Sequence, residues 1–259
     1  MVIKKSIFIL GVIFSVLANG QTNNSIVRFH YLGHSSFMIS FGKNVTVLTD
    51  YGKPDAFAAY GWSSPISSNG DAIPTIATYS HSHDDHYDST RVPKEAKYIL
   101  RDSCKLKSKN LSIETFRTSE KDIKTKDNIS FLFRYQDITV LHFGDCQANI
   151  FMIDSTPDRE YIEKVVPKNC DVVLLPIEST KKFIPQVEKF IRLIHPKVVI
   201  PMHYWSTEYK QQFFDYLINS NSGSLYKIIK ISEGDYLYCK NEETDSISII
   251  DISPGKINL

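Results

Sequence analysis

Apolar and polar residues alternate in short runs over the first half of the chain. Runs of this length, bounded by Gly, Asn, Ser and Pro, predict β-strands that pair as meanders. The predicted strands cover residues 26–31, 36–41, 45–49, 75–79, 98–100, 112–116, 129–133 and 138–142. Gly42-Lys43-Asn44 predicts a hairpin turn between the second and third strands, and the Ser-, Gly- and Pro-rich segment 61–74 predicts a loop.

The second half of the chain alternates strands with helices. Residues 172–175 and 198–200 are continuous apolar runs, typical of strands covered on both faces. Residues 185–195 carry apolar side chains at i, i+3, i+4 and i+7, which predicts an amphipathic helix. Further helices are predicted at 158–166 and 209–219, and further strands at 226–231, 236–239 and 246–250. Together the two halves predict an α+β fold in which two sheets pack face to face with helices outside.

The N-terminus has the layout of a secretory signal peptide. Two lysines precede an apolar run over residues 6–18, and Ala18-Asn19-Gly20 supplies small residues before a cleavage point. A membrane anchor is the alternative, but a spanning helix needs about 20 apolar residues, whereas this run has thirteen. We therefore predict a signal peptide at 1–20, one domain at 21–259, no membrane span after cleavage, and a secreted or periplasmic protein.

Composition and charge narrow the function classes. The chain has 259 residues, 42% hydrophobic and 23% charged, which is an ordinary globular composition. Lys and Arg number 30 against 29 Asp and Glu, so no bulk positive field favours binding to nucleic acid or to an anionic membrane. We therefore expect a small-molecule substrate and no nucleic-acid partner; the oligomeric state is open.

The four cysteines do not form a metal-binding pattern. Cys104, Cys146, Cys170 and Cys239 are widely separated, without the close spacing of a structural zinc site. Four cysteines allow three disulfide pairings, and the sequence does not choose among them. Buried free thiols are an equally good interpretation.

Three histidines and two aspartates cluster directly after the predicted strand 75–79. In an extended segment, residues two apart point the same way, so His81 and His83 can share one metal ion. If a helix begins at Asp85, then Asp85 and His86 point elsewhere and can bind a second ion. Imidazole and carboxylate ligands suit zinc or a comparable divalent metal. A polar loop that is rich in histidine by chance is the weaker explanation.

The sequence HSHDDH at 81–86 resembles the H-x-H-x-D-H signature of the metallo-β-lactamase-fold hydrolases. Three further positions agree with this family in order along the chain, and the resemblance extends over about residues 26–240. Asp50, at the end of a strand, resembles the aspartate that supports the metal-binding histidines. Asp145, after Gly144, resembles the aspartate that bridges two metals, and His203 resembles the last metal-binding histidine.

The turn Gly33-His34-Ser35-Ser36 narrows the resemblance. It is similar to the branch that contains ascorbate-6-phosphate lactonase and the N-acylphosphatidylethanolamine phospholipase D-like enzymes, where the early histidine lies near the metal site. A hydrogen-bonded turn histidine is an equal alternative for His34.

The resemblance implies a four-layer αββα sandwich and a metal-dependent hydrolase. A hydroxide held by two divalent ions, expected to be zinc with Mn, Fe or Ni as alternatives, would cleave an ester, lactone, amide or phosphodiester. The implied metal ligands are His81, His83, Asp85, His86, Asp145 and His203, and the implied catalytic residues are Asp85, His34 and Asp50.

One ligand of the family pattern is missing. No histidine lies two residues after Asp145 or between His86 and His142, so the first ion has only His81, His83 and Asp145. His142 and Gln147 are candidates for the gap. The charged segment 119–128 is predicted to be a solvated loop.

Two other functions therefore remain open, a metal-poor binding or scaffold protein of the same fold and an exported metal-storage protein. Several aromatic residues near the motifs are candidates for the wall of a substrate pocket, and core or surface packing is the alternative for each of them. They are Tyr51, Phe57, Tyr60, Trp62, Tyr204 and Trp205.

Overall fold

The computed structural model describes residues 25–53, 56, 73–177, 181–232, 234–240 and 245–255. The predicted signal peptide lies outside these residues, as do Phe57, Tyr60 and Trp62. Among the helices of the described segments, none has the length and apolar character needed to cross a membrane.

The first sheet contains six strands, in the order β13-β1-β2-β3-β4-β5. Strands β1 to β3 and β13 pair antiparallel, whereas β3, β4 and β5 run parallel. Because β3 and β4 are parallel, their carboxyl ends meet at the same edge of the sheet. The strands are β1 (Ile26–Gly33), β2 (Ser36–Phe41), β3 (Val45–Thr49), β4 (Ile76–Thr78), β5 (Tyr98–Leu100) and β13 (Asp235–Cys239).

The second sheet contains eight strands, in the order β12-β14-β11-β10-β9-β8-β7-β6. Strands β9 to β12 and β14 run parallel, and β6 to β8 continue antiparallel from β9. The strands are β6 (Lys105–Ser108), β7 (Leu111–Thr118), β8 (Asn128–Tyr135), β9 (Ile138–His142), β10 (Val172–Pro176), β11 (Val198–Met202), β12 (Tyr226–Ile231) and β14 (Ile247–Ile252).

Four α-helices are described, and they connect the parallel strands of the second sheet. They are α1 (Gln147–Phe151), α2 (Thr156–Val165), α3 (Ile184–Ile194) and α4 (Thr207–Asn219). Helix α3 contacts both α1 and α4, and α4 contacts β12. Since connections between parallel strands are almost always right-handed, these helices cover the outer face of this sheet. The amphipathic pattern predicted for α3 is confirmed, with Val187, Phe190, Ile191 and Ile194 all buried.

The main hydrophobic core lies between the two sheets. Alternate residues of β2, including Phe37, Ile39 and Phe41, point into it, and the Phe41 ring lies 5.7 Å from the ring of Phe133 on β8. Met38, between them in the sequence, belongs to a smaller cluster on the opposite face of the first sheet. In the described residues, irregular chain around Tyr87 covers that second cluster.

The predicted α+β fold with two mixed sheets packed face to face is confirmed. Strand β6 and the five-residue helix α1 were not predicted. The prediction that a helix begins at Asp85 is wrong, because residues 84–86 form a turn. The backbone N–H groups of His86 and Tyr87 both donate to the carbonyl of His83, at 2.9 and 2.8 Å, which closes a single turn. The side chain of Asp88 then accepts from the N–H of Thr90, which forms a local turn in place of helix.

All four cysteines are described, and each is a free thiol. Cys146 and Cys170 are buried, whereas Cys104 and Cys239 are partly buried. Burial raises the pKa of the Cys170 thiol to about 11 and holds that of Cys146 well above its usual range. Protonated, buried thiols of this kind are poor nucleophiles, so they have a packing role.

Candidate metal centre

Four strand ends from both sheets meet at one edge of the sandwich. Asp50 directly follows β3, and the histidine cluster follows β4 in the first sheet. Asp145 and His203 follow β9 and β11 in the second sheet. The carboxyl ends of parallel strands lie at the same edge of a sheet, which is why residues distant in sequence converge here.

Asp50 fixes the orientation of His86. The carboxylate is fully buried, and the Nδ1–H of His86 donates to its Oδ2 at 2.8 Å. Ser80 donates its backbone N–H to Oδ1 and its hydroxyl to Oδ2, both at 2.7 Å. With a proton of His86 held on Nδ1, Nε2 is the ring nitrogen of His86 left to bind at the centre.

Ser80 fixes the position of the ring proton of His81 as well. The Ser80 hydroxyl proton is used by Asp50, so its oxygen can only accept from His81 Nδ1, 3.0 Å away. The proton of His81 therefore lies on Nδ1, and Nε2 carries a free lone pair. That Nε2 atom is buried and has no hydrogen-bond partner. Both histidines thus present the same atom to the centre.

Asp85, His86 and His203 form one group of possible metal ligands. The Oδ2 atom of Asp85 lies 3.4 Å from His86 Nε2 and 3.6 Å from His203 Nε2, and the two Nε2 atoms are 3.0 Å apart. His34 is fully buried beside them, and its Nε2 lies 2.9 Å from the same Asp85 oxygen. This contact positions Asp85; the role of His34 at a metal site stays a prediction.

His81 and His83 form the other side of the centre, together with a residue that the sequence analysis did not select. Glu120 Oε2 lies 3.1 Å from His83 Nδ1 and 3.7 Å from His81 Nε2. The segment 119–128 was predicted to be solvated, and Lys121 and Asp122 are indeed exposed. Both ends of the segment, Ser119 and Asn128, are buried, and only 11% of the Glu120 side chain is exposed, so the prediction holds for the middle of the segment alone.

The Gly144-Asp145 pair is held in place by Asn128. The side-chain oxygen of Asn128 accepts the backbone N–H of Asp145 at 3.0 Å, and its amide donates to the carbonyl of Phe143 at 2.7 Å. Gly144 has φ +62°, and an added Cβ would overlap Ser80. Asp145 Oδ2 is thereby placed 3.6 Å from His203 Nε2.

His142 does not fill the gap in the first ligand set. Its Nε2–H donates to the carbonyl of Ser35 at 3.0 Å, and its Nδ1 accepts from the N–H of Gly144 at 3.2 Å. Nε2 carries the proton and the Nδ1 lone pair accepts a hydrogen bond, so neither ring nitrogen is left to bind a metal. Gln147, the other candidate, is the first residue of α1.

The aromatic residues proposed for a pocket wall divide into two kinds. Tyr51 and Tyr204 are buried and serve as packing residues. Trp205 is partly buried, and its ring lies 5.5 Å from His34 and 5.8 Å from His203. Of the described members of this set, Trp205 is therefore the partly buried one beside the histidines of the candidate centre.

The backbone is strained at three of these positions. His34, Asp50 and His203 have φ values of +50°, +37° and +54°, in the left-handed region that non-glycine residues avoid. Each such residue costs of order 1–3 kcal/mol, and such strain is concentrated at functional sites. The backbone N–H of His203 donates to the carbonyl of His34 at 3.0 Å, which ties two of the strained turns together.

The charge state of the cluster suits a cation. Burial and the neighbouring His203 lower the pKa of His34 to about 3, and burial and His86 lower that of His81 to about 2, so both are neutral at pH 7. Burial opposes ionisation of Asp85, but hydrogen bonds from the surrounding histidines hold its pKa well below the usual range. His86 differs: burial lowers its pKa, but Asp50 and Asp85 together raise it to about 9. Since divalent metals require neutral imidazoles beside ionised carboxylates, a bound ion would displace the second proton of His86.

Three overlapping groups of side chains have ligand atoms within 4.8 Å of one another and could hold a metal ion. Two buried atoms favour metal binding by these groups. His81 Nε2 and Asp85 Oδ1 are buried without hydrogen-bond partners, which is unfavourable unless a cation is bound there. The groups are His34, Asp85, His86 and His203; His81, His83 and Asp85; and His81, His86 and Asp145.

Residues 28–203 match the family model described as "Beta-lactamase superfamily domain". The chain belongs to this superfamily. The narrower resemblance to the ascorbate-6-phosphate lactonase branch stays a prediction. The superfamily match covers every residue of the candidate centre, from His34 to His203. Comparison with curated proteins gives no match.

Several solved structures show the same fold. Igni18, a metallo hydrolase from Ignicoccus hospitalis, is 17% identical with a TM-score of 0.57, over 85% of this chain and 100% of that one. A candidate Zn-dependent hydrolase from Thermotoga maritima is 18% identical with a TM-score of 0.54, over 86% and 97%. An isothiocyanate hydrolase from Delia radicum gut bacteria is 9% identical with a TM-score of 0.52, over 82% and 100%.

Proposed function

We propose that this superfamily member is an exported metal-dependent hydrolase that cleaves an ester, lactone, amide or phosphodiester bond of a small molecule. The observation that carries the proposal is the convergence of imidazole and carboxylate atoms from four strand ends. The proposed ligands are His81, His83, Asp85, His86, Asp145 and His203, with Asp50 and His34 as positioning residues.

A pair of divalent ions bound here, for which zinc is the first candidate, would lower the pKa of a water molecule and stabilise negative charge developing on the substrate. The protein supplies the geometry for that chemistry. Asp50 holds protons on Nδ1 of His86 and, through Ser80, of His81, which leaves both Nε2 atoms free to bind. His34 donates its Nε2–H to Asp85 and keeps that carboxylate directed at His86.

Two features support the remaining parts of the proposal. The basic, apolar and small-residue pattern of residues 1–20 favours export to the periplasm or the medium. The net charge of +1 argues against nucleic acid as the substrate, because such binding is driven by neutralised phosphates.

The first experiment is elemental analysis of the purified protein, combined with a hydrolysis screen. The screen uses bis-p-nitrophenyl phosphate, p-nitrophenyl acetate, a lactone, an anilide and a β-lactam. We expect about two divalent ions per chain and turnover of at least one substrate class, lost in His83→Ala. The control is Glu95→Gln, an exposed carboxylate outside the centre, which should keep full activity.

Each alternative function has its own result in this experiment. Absence of bound metal under replete conditions, with no turnover, would indicate a binding or scaffold protein. Two bound ions without turnover of any substrate would indicate metal storage. Either result would contradict the proposed hydrolase.

A further inference from the structure

The first metal position lacks a ligand if only the family pattern is considered. His81, His83 and Asp145 provide three groups, and His142 is excluded because both of its ring nitrogens are hydrogen bonded. A zinc site in a protein takes at least four ligands, of which a catalytic site gives one to water. His81, His83, Asp145 and a water would reach four, but the Asp145 carboxylate would be shared with the second ion, so a further protein ligand would hold the first ion more tightly.

Glu120 is in the right place to supply it. The Oε2 atom of Glu120 lies 3.1 Å from His83 Nδ1 and 3.7 Å from His81 Nε2, the buried atom without a hydrogen-bond partner. The other oxygen, Oε1, lies 3.3 Å from the exposed ammonium of Lys121. The carboxylate is thus oriented with one oxygen towards the histidines and one towards solvent.

The backbone around Glu120 is fixed on both sides. Its N–H donates to the Asp127 carboxylate at 3.0 Å, and its carbonyl accepts from the N–H of Ala148 at 2.9 Å. The preceding residue, Ser119, donates its N–H to the side chain of Asn149 at 2.7 Å. These bonds tie the segment to helix α1, which begins two residues after Asp145. The position of Glu120 is therefore coupled to that of the bridging aspartate.

We propose that Glu120 is a metal ligand that completes the first ion's shell with His81, His83 and Asp145, in place of the absent histidine. This inference rests on the proposed metal centre and names a ligand that the family signature does not contain. A carboxylate adds a negative charge that an imidazole would not, and oxygen ligands favour harder ions such as Mn²⁺. We therefore expect this position to bind Mn²⁺ better, relative to Zn²⁺, than a histidine-completed site would.

The competing explanation is that Glu120 only orients His83 through a hydrogen bond to Nδ1. The two roles predict different effects of substituting Glu120. A ligand can be exchanged for another ligand, so Glu120→His should retain two ions and shift preference towards Zn²⁺. Glu120→Ala and Glu120→Gln should both lose the first ion. A positioning residue would tolerate Gln, which also carries a hydrogen-bonding oxygen, better than His.

The test measures metal binding directly. Metal-free wild type and variants are titrated with Zn²⁺ and Mn²⁺ by calorimetry, and bound metal is counted after desalting. We expect Glu120→Ala and Glu120→Gln to fall from about two ions to about one, with first-site affinity reduced at least 100-fold, the upper end of what loss of a supporting residue causes. Glu120→His should keep two ions. Glu114→Gln, a carboxylate on β7 paired only with exposed Lys105, is the matched control, and Gln147→Ala tests the rival ligand.

The outcomes separate this inference from the proposed function. Two ions bound equally by wild type, Glu120→Ala and Glu120→Gln would overturn the ligand role while leaving the hydrolase intact. Loss of an ion in Gln147→Ala but not in Glu120→Ala would assign the ligand to Gln147. Wild type that binds two ions, loses one in Glu120→Gln and hydrolyses nothing would support Glu120 and overturn the hydrolase. Wild type that binds no ion would overturn both.

Discussion

Replacing Asp50 with asparagine should disable the metal centre without removing a proposed ligand. The carboxylate accepts three hydrogen bonds, two from Ser80 and one from His86 Nδ1–H. An asparagine oxygen can replace Oδ1 opposite the Ser80 N–H. Its amide group then faces the atoms that bonded Oδ2, and it donates where a carboxylate accepted.

The consequences follow from the direction of these bonds. His86 must offer the Nδ1 lone pair to the new amide, so its proton moves to Nε2, the atom directed at Asp85 and His203. A hydrogen bond to a charged group contributes about 1.5–3 kcal/mol, so two altered bonds allow a loss of about 3–6 kcal/mol in the unfolding free energy of the metal-free protein. Metal affinity should fall about 10–100-fold, as is usual when the partner of a ligand histidine is lost.

Urea denaturation of metal-free protein and competition titration with a zinc chelator measure the two effects. Asp154→Asn is the matched control, because that exposed carboxylate pairs only with Lys189 at the surface and its loss should change stability by less than about 1 kcal/mol. Wild-type zinc affinity in Asp50→Asn would refute the assigned proton positions. A stability loss with unchanged affinity would reduce Asp50 to a folding role.

Four further outcomes are expected. Gly144→Ala should lower both stability and metal content, because the residue has φ +62° and its Cβ would lie 2.6 Å from Asn128 Oδ1; wild-type metal content would contradict this. Phe190→Ala should lower the unfolding free energy by about 3–5 kcal/mol without changing metal stoichiometry, because the side chain is fully buried on α3 and its ring packs against that of Phe143, 5.3 Å away, which is not a proposed ligand; denaturation and metal counting check it. Chelation should raise urea sensitivity, and adding metal back should restore it, since ligands stabilise only the folded state. His34→Ala should lower metal affinity less than His203→Ala, measured by zinc titration, because His34 contacts the centre through Asp85.

The local pattern of apolar and polar residues was sufficient to predict most of the strands and helices. Strands β1 to β3 follow from short apolar runs and a Gly-containing turn, and α3 follows from a 3.6-residue period whose apolar positions are all buried. Helix α1 was missed because five residues are too few to show a period. The helix at Asp85 was wrong because side-chain hydrogen bonding at Asp88 competes with helical bonding, which a hydrophobic pattern does not register.

The sequence alone determined the class of chemistry, because histidines and aspartates spaced as in 81–86 have few uses other than metal binding. Only the tertiary structure decided which distant side chains face that cluster. In the folded chain, both ring nitrogens of His142 are hydrogen bonded, to Ser35 and Gly144. Glu120 faces the histidines, although the charges of its segment predicted a solvated loop. The physical reason is that side-chain direction depends on backbone bonds to residues far along the chain, such as the tie from Glu120 to Ala148, and these bonds leave no local pattern.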